Sequence, residues 1–255
     1  EMQRSLVGSE MCIRDRYFFV PDAESSTELP AEEAMHALRV LRLKSDDDMF
    51  LMDGNGNFFK AKVTLAATKH CMYEITEKMP QEKTWNGNIC IAVAPTKMMD
   101  RIEWFAEKAT EVGIDELAFL NCQFSERKVL KTLRLDKIII SAVKQSRKPY
   151  RPQLTPLTRF NDFIKKERAG LKFIAHCYEE IPSVDFFDTA SKEKEQASSD
   201  GITVLIGPEG DFSIDEVREA MKYGFTPISL GKSRLRTETA ALYAAMCAQL
   251  ICRKD

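Results

Sequence analysis

No stretch of this chain stays apolar for the roughly 20 residues that a membrane-spanning helix needs, so no membrane role is expected. Metal chemistry has little to draw on. The 3 histidines (His36, His70, His176) are dispersed, and the 7 cysteines contain no Cys-x-x-Cys pair. An odd, scattered set of cysteines also argues against a disulfide framework and fits a reducing cytosol. Charge of either sign is not in excess: 37 Lys+Arg stand against 39 Asp+Glu, a formal net charge of −2. The total therefore does not advertise nucleic acid, although a binding face needs only local clustering. Neither a Walker phosphate loop nor a dinucleotide fingerprint occurs. What remains is the expectation of a cytoplasmic protein without metal or membrane. Its 255 residues suffice for one large domain or two modest ones, each with a real core.

Residues 1–16 mix charge, glycine and single apolar residues without a helix or strand period or a secretory apolar core, and read as a non-native leader. The next segment is mostly β. Residues 17–20 form an aromatic strand stopped by Pro21, and strands over 49–53 and 58–63 flank Gly54-Asn55-Gly56-Asn57, a strong hairpin turn. Residues 71–76 read as a further strand. A short helix is expected over 31–41, with His36, Arg39 and Arg42 three apart and near one face. The polar stretch 77–87 holds the linker. From Asn88 onward strands (89–94, 116–120, 172–176, 202–206, 226–230) alternate with helices, among them 98–112 stopped by Gly113. That alternation predicts an α/β domain with a parallel sheet covered on both faces. Residues 189–201, rich in Ser, Lys and Glu, read as a solvated loop.

Two strand–loop–helix units near the C-terminus carry the most information. In Ile206-Gly207-Pro208-Glu209-Gly210-Asp211-Phe212-Ser213, the loop runs into a Ser213/Glu216 capping box. In Leu230-Gly231-Lys232-Ser233-Arg234-Leu235-Arg236-Thr237-Glu238-Thr239-Ala240, a glycine and cations lead into an apolar helix for which Thr237 is the expected cap. Free backbone N–H groups and the helix dipole converge at such places, so two adjoining units suggest one shared pocket. Gly-Pro-Glu-Gly taken alone is an ordinary turn.

Taken in order, the two loops resemble the 16S ribosomal RNA (uracil-N3)-methyltransferases of the SPOUT superfamily. His36-Ala37-Leu38-Arg39-Val40-Leu41-Arg42 is similar to an early signature of that family. Thr96-Lys97 through Lys108-Ala109-Thr110-Glu111-Val112-Gly113, Ser125-Glu126-Arg127 and Gln145-Ser146-Arg147 also fit, so the likeness runs over about residues 17–252. It implies a PUA-like RNA-binding β-barrel at 17–80, a linker at 81–87 and a trefoil-knotted methyltransferase domain at 88–255. It also implies S-adenosylmethionine as methyl donor, 16S ribosomal RNA or the small subunit as partner, and a homodimer. By the same resemblance the donor sits among loops following three strands and touches His176, Ile206, Gly207, Pro208, Glu209, Gly210, Leu230, Gly231, Leu235 and Thr237. RNA contacts fall to His36, Arg39, Arg42, Arg127 and Arg147. The family usually has a second glycine where Asp211 stands, which puts a constrained backbone and an extra negative charge beside the loop.

Uracil N3 loses its proton poorly at neutral pH, so methylation there builds negative charge on the ring carbonyls. Arg236 is the candidate to stabilise it, in the manner of an oxyanion site; a salt bridge to Glu209 or Glu238 is the structural alternative. No base is assigned. Two other readings stand beside this one: a SPOUT enzyme with another RNA target or base atom, and a non-catalytic RNA-binding knot protein. The same resemblance and the apolar helix over 240–251, with only Gln249 clearly polar, point to a two-fold dimer, with cover by the helix over 98–112 or another helix of the same chain as the alternative.

Overall fold

The computed structural model describes residues 16–197 and 200–254. The expected leader therefore lies, Arg16 apart, outside the described residues. The chain divides into two compact units: residues up to Lys83 together with Val143–Arg151, and the remainder.

In the first unit, Tyr17–Phe19 (β1) pairs in parallel with Asp48–Met52 (β2), followed by Asn57–Ala66 (β3) and Cys71–Pro80 (β4) in antiparallel register. The β2–β3 turn closes because Asp53 acts as an internal template. Its carboxylate accepts the N–H groups of Asn55 (2.7 Å) and Asn57 (3.0 Å), while Gly54 and Gly56 take up positive φ. Phe18, Leu51, Phe59, Val63 and Tyr73 form the core together with Ala34 and Ala37. Those alanines come from the helical segment, which departs from expectation. Only Ala31–Met35 (α1) is α-helical; His36–Val40 is a π-turn closed by the Leu41 N–H on the His36 carbonyl, and Arg42 follows in the left-handed region at φ 55°. The three basic positions therefore do not line one α-helical face.

The second unit is a seven-stranded, all-parallel sheet. Its strands are Asn88–Val93 (β5), Glu116–Asn121 (β6), Gln153–Arg159 (β7), Leu171–Ala175 (β8), Val184–Asp185 (β9), Gly201–Ile206 (β10) and Thr226–Ser229 (β11), in the spatial order β7-β6-β5-β10-β8-β11-β9. Its helices are Met99–Val112 (α2), Thr132–Ser146 (α3, up to Ala142 in this unit), Phe160–Ile164 (α4), Phe186–Ala197 (α5), Ile214–Lys222 (α6) and Thr237–Cys252 (α7). One core layer joins Cys90, Ala92, Leu120 and Leu205 of the strands to Phe160, Phe163, Phe212 and Val217. The alternate strand residues point the other way. Helix α7 packs against β5, β10, α2 and α5.

Two local expectations are corrected by the structure. Residues 189–197 are helical rather than a loop, because Phe186 and Ala190 are fully buried and anchor α5, with the Phe186 ring edge-on to Phe173 at 5.2 Å. Thr237 does not cap the last helix. Arg236 occupies the extended cap position (φ −74°, ψ 156°), and Thr237 is the first helical residue, with its side chain buried. In the stretch 81–87, Trp85 is buried and its indole N–H donates to Asp115 at 2.9 Å, which seats that end of the linker in the second unit.

Candidate functional site

Strands β10, β8 and β11 are neighbours in the sheet, so the loops leaving their C-terminal ends emerge side by side. Open parallel sheets bind ligands at such carboxyl ends. A cleft of about 500 Å³ opens there, a size typical of small-molecule sites. Every residue assigned above to the donor lines it: His176, Ile206, Gly207, Pro208, Glu209, Gly210, Leu230, Gly231, Leu235 and Thr237, with Arg236 beside them. Arg101, Cys177, Ser229, Ser233 and Arg234 also face it, and no role was expected of them from sequence. Arg234 sits in the same cationic loop as Arg236 and was legible as part of that cluster. Arg101 lies on α2, and nothing in its spacing ties it to loops that begin 75 residues further along the chain.

The loops are shaped by specific backbone demands. Gly231 sits at φ 102°, a region open to glycine and strained for a side chain. Gly207 is required for a different reason, because a Cβ there would stand 3.0 Å from the Phe212 nitrogen. The capping box is formed as expected: Ser213 Oγ accepts the Glu216 N–H and the Glu216 carboxylate accepts the Ser213 N–H, at 3.2 and 2.9 Å. This fixes the start of α6 directly behind the loop.

Charge in the cleft is mixed. Glu209 accepts the Lys97 N–H at 2.9 Å, and the Nε of Arg101 faces Glu238, which is 7 % exposed and lies behind the cleft lining, at 3.6 Å. Neither acid pairs with Arg236, whose exposed side chain has no partner among the described residues. The salt-bridge alternative for Arg236 is thereby not realised. His176 is 8 % exposed and its Nδ1 accepts the Tyr178 N–H at 3.1 Å, which leaves Nε2 to carry the proton of the neutral ring. Burial lowers its pKa, and the nearby Asp211 charge opposes that shift.

The RNA candidates divide between the units. His36 is half-buried with its ring edge-on to Phe18 at 6.2 Å, while Arg39 and Arg42 are exposed. Arg147 stacks its guanidinium over the Tyr17 ring at 4.8 Å. In the second unit, Arg127 is committed to the chain itself: its guanidinium donates to the Thr96 and Lys97 carbonyls and so braces the segment before α2 rather than standing free. Tyr150 is a packing residue. Its hydroxyl donates to the Gln81 carbonyl, and its ring occupies the space that a side chain at Gly56 would need.

Comparison with known proteins follows the same division. A model of the RNA methyltransferase domain matches residues 83–249, and a model of the RNA methyltransferase PUA domain matches residues 29–71. The chain is 28 % identical over 229 residues to the ribosomal RNA small subunit methyltransferase E of Rickettsia conorii, covering 89 % of this chain and 91 % of the relative. Among solved structures, a probable rRNA-methyltransferase from Porphyromonas gingivalis superposes with a TM-score of 0.80 at 40 % identity, over 90 % of this chain and 95 % of that one. The ribosomal RNA small subunit methyltransferase E of Neisseria gonorrhoeae, solved with S-adenosyl methionine bound, superposes with a TM-score of 0.80 at 25 % identity, over 93 % and 98 % of the two chains.

Proposed function

The chain belongs to the RNA methyltransferase family, and we propose that it methylates N3 of a uridine in 16S ribosomal RNA with S-adenosylmethionine as donor. At the coarser level it is an S-adenosylmethionine-dependent methyltransferase of small-subunit ribosomal RNA. The observation that carries the reading is the convergence of all ten donor-assigned residues on one cleft at the ends of three adjacent parallel strands.

The residues present fit this donor. Gly207 leaves little room for a side chain against Phe212, and Gly231 holds φ 102° with open space where a Cβ would stand, which suits a close approach of main chain to ligand. The wall carries both signs, with Glu209 suited to a sulfonium and Arg101 and Arg234 suited to a carboxylate. When bound, S-adenosylmethionine supplies a methyl group already activated for transfer, which needs no metal. The chain's work is then to orient donor and base and to manage charge. Arg236, exposed at the start of α7 and without a side-chain partner among the described residues, is the residue to stabilise the negative charge that grows on the uracil carbonyls. His36, Arg39, Arg42 and Arg147 supply the first unit's share of RNA contact, with the arginines in the role of phosphate anchors.

The reading extends to assembly and path. Tyr243, Met246 and Leu250 form a stripe along α7 that is 43, 50 and 54 % exposed, and a second copy is the cover we assign to it. The trefoil-knotted path of the SPOUT superfamily belongs to the same reading.

Methyl transfer tests the class of reaction. Purified protein incubated with isotopically labelled S-adenosylmethionine and unmodified small ribosomal subunits should place label in the 16S RNA. Absence of label, with donor binding intact, would contradict the enzymatic reading and favour an RNA-binding role.

A further inference from the structure

Asp211 stands in the left-handed region at φ 68°, where glycine is the easiest residue and Asp or Asn the next. Each oxygen of its carboxylate accepts a main-chain N–H. Oδ1 accepts the N–H of Phe212 at 2.7 Å, and Oδ2 accepts the N–H of Cys177 at 2.8 Å, across 34 residues of sequence. A second bond runs parallel to the latter, from the Tyr178 hydroxyl to the Phe212 carbonyl at 2.7 Å. The loop after β8 and the loop after β10 are thus fastened by two cross-loop hydrogen bonds, one of them to a charged acceptor and so the stronger kind. His176, Cys177, Gly210 and Asp211, on either side of the fastening, all line the cleft.

We propose that Asp211 is a positioning residue, whose carboxylate clasps two walls of the cleft in their ligand-ready arrangement and so sets affinity for the donor. The proposal rests on the donor reading of that cleft. A glycine would suit the backbone at this position but could not reach Cys177, and the two loops would then be ordered at the expense of binding. Asparagine tolerates the same φ and offers one acceptor oxygen, but its amide nitrogen cannot accept the second N–H. Asp, Asn and Gly at position 211 therefore form a graded series in which the clasp weakens while the backbone stays unstrained.

The test compares the full-length wild type with D211N and D211G. On the free proteins, amide hydrogen exchange should quicken at 176–178 and 207–213 in D211G, by about tenfold or more. The melting temperature should not fall correspondingly, since glycine relieves the left-handed strain. Calorimetry should show affinities for S-adenosylmethionine and S-adenosylhomocysteine falling in parallel, by about tenfold in D211G and less in D211N. In steady state the loss should appear in the KM for the donor more than in kcat. Unchanged exchange in both loops would overturn the clasp. So would a loss confined to S-adenosylmethionine, which would make Asp211 a counter-charge for the sulfonium instead. If the wild type binds neither ligand, the donor reading itself fails, whereas the exchange measurement on free protein still decides whether the clasp exists.

Discussion

A Cβ placed on Gly207 would meet the backbone nitrogen of Phe212 at 3.0 Å and its ring at 3.1 Å. Real Cβ atoms rarely approach so closely, and Phe212 cannot retreat because it is fully buried in the sheet's core. The loop between them is therefore held shut by the absence of a side chain.

Gly207→Val should push the loop off Phe212, and Gly231→Val should force a branched residue into φ 102°. Both are expected to lower donor affinity by more than about tenfold, equivalent to ~1.4 kcal/mol. Calorimetry on variants shown to be folded by circular dichroism checks this; wild-type affinity in both would remove the cleft as the donor site.

Arg236→Ala removes an exposed cation with no side-chain partner among the described residues, so fold and donor binding should survive. Turnover should fall by about 10²–10³, the usual cost of losing one charge-stabilising donor. Single-turnover methyl transfer at saturating donor measures it. A loss of donor affinity with unchanged turnover would reassign Arg236 to donor binding.

The paired change Arg39→Ala and Arg42→Ala should weaken RNA binding and reduce the salt dependence, by roughly 0.7–0.9 in the log–log slope for each phosphate that is no longer neutralised. Donor binding should be unaltered. Filter binding across a salt series tests this, and an unchanged slope would mean that these arginines are merely solvated.

Met246→Glu places a charge in the middle of the exposed stripe of α7. Light scattering at micromolar concentration should give a dimer mass for the wild type and a monomer mass for the variant. A monomeric wild type with full activity would contradict the dimer.

Much of this architecture can be read from side-chain chemistry that acts locally. The Asp53–Asn57 turn, the Ser213/Glu216 capping box and the alternation of apolar strands with helices after Asn88 all form where the sequence places them. The failures have local causes as well. Strand β7 carries Pro156 and few fully apolar positions, which is tolerable only because it is an edge strand. Helix α5 looks solvated by composition, yet two buried residues, Phe186 and Ala190, hold it down. The π-turn at His36–Val40 has no spacing signature, since side-chain period alone does not distinguish i→i+5 from i→i+4 bonding. Within the cleft, residues carried on the loops were legible, whereas Arg101 reaches it through tertiary packing of α2.

The most direct test of the account is nucleoside mass analysis of 16S RNA methylated by the purified protein. Small subunits lacking the modification, treated with the protein and labelled S-adenosylmethionine and digested to nucleosides, should yield label in 3-methyluridine alone, arising from one position. Label in another methylated nucleoside, or spread over many uridines, would contradict the assignment of N3 of a specific uridine as the acceptor.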